Sequence, residues 1–182
     1  MRDLSLHLLD LVQNSVRAGA SLVTVTVSAD EKKWITVSIC DNGCGMSKEL
    51  RERVLSPFAT TRTTRKVGLG IPLMAQNARL TGGDVAIESE EGKGTKLTVT
   101  MDGSSIDCLP LGDLAGTMAT LIGANPEKDF QFVYEYFGKV FDFDTRPVRQ
   151  MLEGVPLDTP EVQLWINDAV TGGISEIMED SL

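Results

Sequence analysis

Histidine is almost missing from this chain of 182 residues: His7 stands alone, and with three cysteines at positions 40, 44 and 108 it offers no zinc-ligand spacing. An odd, small cysteine count also argues against a disulfide framework, so the thiols are read as free in a reducing compartment. No apolar run approaches the ~18 residues of a membrane span and no signal-peptide pattern opens the chain, so a cytoplasmic protein is expected. Positive charge is scarce as well. The net charge is −9, which makes nucleic acid a poor partner.

These shortages are unevenly distributed. Residues 1–102 hold 13 Lys or Arg against 12 Asp or Glu, whereas residues 103–182 hold 4 against 14. Eight of the ten aromatic residues lie between Phe130 and Trp165, so the acidic tail has core-forming material and is not a disordered extension. Two units are expected, 1–102 and an acidic, aromatic-rich module over 103–182.

The first segment, Asp3 to Ala18, reads as a helix whose apolar face is Leu4, Leu8, Leu11 and Val12. His7, Asp10 and Asn14 fall on a second line, which by itself reads as the wet side of an amphipathic helix; His7 there is expected to be solvated or structural. Gly19 closes the helix, and Leu22–Ser28 and Trp34–Cys40 alternate as an antiparallel pair of half-buried strands joined by Asp30–Lys33. At the end of the second strand stands Asp41-Asn-Gly43-Cys-Gly45-Met46. Its glycines let a flat ring approach without meeting a Cβ, and a carboxylate can accept from an exocyclic amine. Ser47 suits the N-cap of a short helix over 48–54.

Between Phe58 and Gly68 the chain is rich in small hydroxyls and carries Arg62, Arg65 and Lys66, a composition suited to a strap over polyphosphate. Gly68-Leu69-Gly70 then opens a helix to Leu80, and a helix N-terminus is a phosphate site. Strands over 84–89 and 95–101 follow, joined by a Glu90–Gly94 hairpin. Together, in this order and each at the edge of a helix or strand, these motifs point to an adenine-nucleotide site.

On those residues, 3–102 resembles the catalytic domain of the family that joins gyrase B, Hsp90, histidine kinases and mismatch-repair MutL proteins, the Bergerat (GHKL) ATP-binding fold. Leu11-Val-Gln-Asn-Ser-Val-Arg-Ala-Gly-Ala20 looks closest to the mismatch-repair form, and Pro57-Phe58, Gly68-Leu-Gly70 and Gly92-Lys-Gly-Thr95 look closer to histidine kinases. The resemblance implies an α/β (α+β) two-layer sandwich, with a mixed, largely antiparallel sheet covered by helices on one face and a small α+β module appended. It further implies ATP and Mg²⁺ as cofactors: Asn14 ligates Mg²⁺, Asp41 binds the adenine amine, Gly43 and Gly45 border the base, and Thr95 supports it through water. Gly68 and Gly70, with Leu69 between them, face the phosphates, and Arg62 contacts the γ-phosphate.

Two departures from the family matter. Hydrolytic relatives carry Glu four positions before the Mg²⁺ asparagine, where this chain has Asp10, which is shorter. Since about 1 Å of misplacement can cost ~100-fold in rate, slow turnover is expected. Only six residues precede His7, so the helical phospho-acceptor domain of a histidine kinase is not expected in this chain. The implied activity is transfer of the γ-phosphate to a partner protein; the alternatives are a slow ATPase acting as a conformational switch and a non-catalytic, ATP-dependent protein-binding module of anti-sigma type.

In the tail, helices over 111–122, 145–153 and 159–179 and strands over 130–136 and 140–143 are expected. This module is read as packing on the sheet's polar face or as an acidic docking surface for a basic protein partner.

Overall fold

The computed structural model describes residues 2–56 and 69–180. Helix α1 (Leu4–Arg17) starts where the Asp3 carboxylate accepts the Leu6 N–H at 3.0 Å, and Arg17 in its last turn complements the negative end of the helix. Its Leu4, Leu8, Leu11 and Val12 are buried, as the spacing requires. Strands β1 (Leu22–Ala29) and β2 (Trp34–Asp41) pair antiparallel with Val25 opposite Ile39, so both valine/isoleucine rows face α1. The turn between them is organised by Asp30, whose carboxylate accepts the Lys32 and Trp34 N–H groups at 2.9 Å each. Helix α2 (Lys48–Leu55) is capped by Ser47, as expected. Helix α3 (Gly70–Leu80) leads into the hairpin of β3 (Asp84–Glu90) and β4 (Gly94–Asp102).

The tail forms α4 (Leu114–Ala124), β5 (Asp129–Tyr136), β6 (Lys139–Asp144), α5 (Thr145–Leu152) and α6 (Pro160–Glu179), close to the expected places. One detail differs: the Thr159 hydroxyl does not cap α6 but donates to the Pro156 carbonyl, and Pro160 opens the helix instead.

The six strands of the described residues form one sheet in the order β3-β4-β2-β1-β5-β6, antiparallel throughout except for β1 against β5. The tail therefore does not pack on the polar face. Its strands extend the sheet sideways, because β1 has an edge whose backbone groups need partners and β5 alternates Phe130, Phe132 and Tyr134 inward in step with Val23, Val25 and Val27. Helix α4 packs beside α1, and α6 beside α4 and over β6, continuing the single helical layer that α3 and α1 begin. The fold is thus a two-layer α/β sandwich, and its core runs without a break from Val85 and Val99 to Ile166 and Val170. Charge and aromatic content change at residue 103, but the sheet does not. The opposite face carries the partly exposed hydroxyls of Thr24, Thr26, Ser38 and Thr98. No helix among the described residues is long and apolar enough to cross a membrane.

Candidate functional site

The helical layer leaves a bay between α1, the end of β2 and the start of α3. Asp41, the last residue of β2, is 9% exposed. Its Oδ1 accepts the Gly43 N–H at 2.9 Å and its Oδ2 accepts the Ser15 hydroxyl of α1 at 2.6 Å. A buried carboxylate with a donor on each oxygen has a fixed orientation and keeps lone pairs for a ligand donor.

The loop after Asp41 is tied down on both sides. Asn42 Oδ1 accepts the Ser21 and Leu22 N–H groups and its Nδ2 donates to Ser21 Oγ, pinning the loop to the start of β1. The Cys44 N–H donates to the Ala18 carbonyl, and the Gly92 N–H to the Cys44 carbonyl. Ser89 of β3 accepts the Met46 N–H at 2.8 Å, donates to the Gly94 carbonyl at 3.0 Å and lies 2.8 Å from the Thr95 hydroxyl. Thr95 stands directly opposite Asp41 in the β2–β4 register. At Gly45 φ is +67°, and a Cβ would run into the Glu90 carbonyl, so hairpin and loop meet only because this position has no side chain.

At the other end of the bay, α1 presents Asp10 and Asn14 one turn apart, both partly buried. The Asp10 carboxylate lies against Gly70, where a Cβ would collide with Oδ2. Gly70 is the first residue of α3, whose N-cap residue Leu69 is exposed and supplies no side-chain cap. A carboxylate thus stands at a helix start where backbone N–H groups are available to an anion. Arg62 and Gly68 lie outside the described residues, as do Pro57 and Phe58. An open cleft of about 470 Å³ between α2 and α3, lined by Val54, Leu55, Leu69, Leu73 and Leu80, adjoins this end.

Of the two expectations for His7, solvated or structural, the structure shows the structural one. His7 is 2% exposed, and its Nε2 lies 3.1 Å from Asn77 Nδ2 of α3. Burial pushes its pKa down, against the pull of Asp10 and Asp3. The helix wheel of α1 shows two lines of residues; only the packing of α3 against α1 makes one of them partly interior. Ser15, Asn42, Ser89 and Asn77 were not singled out from the sequence. Ser15 alone had a local signal, as the residue next to Asn14 on the turn of α1 that faces β2. The three cysteines are free thiols, with Cys40 and Cys44 exposed.

Residues 2–105 match the family described as histidine kinase-, DNA gyrase B- and HSP90-like ATPase. Among its relatives, sporulation kinase D of Bacillus subtilis is 30% identical over 101 residues, covering 52% of this chain and 20% of that kinase. Sensor histidine kinase WalK of the same organism is 31% identical over 100 residues, covering 50% and 16%. Sensor histidine kinase ZraS of Escherichia coli O157:H7 is 29% identical over 93 residues, covering 50% and 20%. The chain therefore spans about a fifth or less of the length of these relatives. It belongs to the histidine kinase-, gyrase B- and HSP90-like ATPase family, and carries that family's ATP-binding domain.

Proposed function

We propose, from membership of that ATPase family, that this chain binds Mg-ATP in the bay between α1, the Asp41–Met46 loop and the start of α3, and transfers the γ-phosphate to a partner protein in signal transduction. Asp41 accepts the adenine amine, Gly43 and Gly45 border the base, and Thr95, with Ser89 behind it, supports that end. Gly70 and Leu69 at the start of α3 face the phosphates. This reading is supported by the loop's close packing: at Gly43 a Cβ would crowd Ala18 and Asp41 Oδ1, and at Gly45 it would run into the Glu90 carbonyl, so the two glycines let the loop close beside Asp41.

The observation that carries the phosphotransfer reading is the meeting of Asp10 with Gly70, which sets a carboxylate at the helix N-terminus where the terminal phosphate belongs. A carboxylate beside a phosphate repels it, and such a cost is explained by a role in the chemistry. Asp10 takes the proton of the attacking hydroxyl or water as the oxygen–phosphorus bond forms and the bond to the β-phosphate oxygen breaks, releasing ADP. Asn14 offers the side-chain oxygen for Mg²⁺, a metal that favours one or two protein oxygens plus phosphates and waters. When bound, the ion neutralises charge on the phosphate oxygens.

The test is γ-labelled ATP incubated with the purified chain, with and without cell extract. Asp10→Asn is expected to keep ATP affinity within a few-fold while lowering label transfer by about 100-fold. Transfer at the wild-type rate in that variant would remove Asp10 from the chemistry. Label passing to water alone, with no protein labelled, would select the slow-ATPase reading that the short Asp10 side chain also favours.

A further inference from the structure

Among the described residues, the one side chain that hydrogen-bonds to the Asp41 carboxylate is Ser15, and the roles proposed above leave it unused. It is 5% exposed, it sits on α1 directly after Asn14, and its hydroxyl is spent on Asp41 Oδ2 at 2.6 Å. That distance is the short, charge-assisted kind, about twice as strong as a hydrogen bond between neutral groups. The Gly43 N–H holds Oδ1 at 2.9 Å. With one donor on each oxygen, rotation of the carboxylate about its Cβ–Cγ bond is stopped, and what remains for a ligand is a pair of acceptor directions.

We propose that Ser15 is the positioning residue of the purine subsite, the group that makes this site choose an amine over a carbonyl at purine C6. The proposal rests on Asp41 being the adenine contact. With Ser15 in place, a C6 amine donates to a correctly aimed lone pair, while a C6 carbonyl brings an acceptor against an acceptor. Without the hydroxyl, Asp41 is held at one oxygen only and its free oxygen can swing away. The vacated volume admits a water that can accept from an amine or donate to a carbonyl at C6, and the preference weakens. Ser15 shares α1 with Asp10 and Asn14, so a single helix sets the purine end and the phosphate end of the site. Through Ser15 and Asp10, one rigid element thus contacts both ends.

The experiment measures Kd by titration calorimetry on the full chain with Mg²⁺, for ATP, GTP and purine riboside triphosphate, which carries only hydrogen at C6. Ser15→Ala is expected to weaken ATP about tenfold, the size of one hydrogen bond to a charged group, while purine riboside triphosphate stays within about twofold. The preference for ATP over GTP shrinks with it, and Ser15→Thr, which keeps the hydroxyl, restores most of both. An equal loss for ATP and the amine-free analogue, or no rescue by threonine, would make Ser15 a structural link only and overturn the proposal. Because each ratio compares two ligands on one folded protein, a stability change in Ser15→Ala does not enter it. Wild-type protein that binds ATP no better than the amine-free analogue would instead refute the adenine role of Asp41, and the Ser15 proposal with it.

Discussion

Phe132 tests whether residues 103–180 are part of one cooperative fold. It is fully buried on β5, opposite Val25 of β1 on one side and Phe143 of β6 on the other. Truncation to alanine removes a phenyl ring that strands on both sides enclose, at a cost of ~3–5 kcal/mol. Against a total stability of ~5–15 kcal/mol this is a large fraction. With a urea slope of ~2–3 kcal/mol/M, the midpoint falls by about 1–2.5 M. The two tryptophans allow the transition to be watched separately on each half, since Trp34 lies on β2 and Trp165 on α6. Urea unfolding followed by fluorescence in Trp34→Phe and Trp165→Phe backgrounds is expected to give the same downward shift from both reporters. If the Trp165 signal moved while the Trp34 signal stayed in place, the tail would be an independent unit and the shared-core reasoning would fail.

His7 predicts a pH dependence. Its pKa in the folded chain lies below the ordinary 6.5, chiefly through burial, so on acidification the unfolded chain takes up the proton first. The His7 contribution is complete above about pH 6.5 and is lost as pH falls from there toward the lowered value, whereas the lowered carboxylates Asp3, Asp84, Asp102 and Asp144 act only below their ordinary 3.8. Urea midpoints measured between pH 7.5 and 5 should therefore decline in the wild type and flatten in His7→Gln; equal slopes would exclude His7 as the source. A third substitution should stabilise. Gly173 of α6 lies under the Phe141 ring, but its neighbour Gly172 has open space where a Cβ would be, so Gly172→Ala gains ~0.5–1 kcal/mol of helix propensity. In a thermal melt that is a rise of roughly 1–4 °C, and a fall would show that something packs on that face.

The amino-acid sequence alone determined what depends on near neighbours along the chain. The apolar line Leu4, Leu8, Leu11 and Val12 needs only the helical repeat, the alternation of β1 and β2 only the pleat, and Ser47 only the N–H groups of the next turn. The Asp41-Asn-Gly-Cys-Gly loop is legible for the same reason, since a carboxylate at a strand end followed by two glycines is a local pattern. Tertiary structure decided the rest. Nothing near Ser15 announces Asp41, which is 26 positions away, and nothing near His7 announces Asn77, 70 positions away. Likewise β1 could close its edge with any strand of matching alternation, and only the packing of α4 against α1 brings β5 there, in parallel. A periodic pattern specifies which face of an element is to be buried, but not which surface will bury it. That second choice belongs to the whole chain, because pairing and burial are settled between elements after each has taken its local shape.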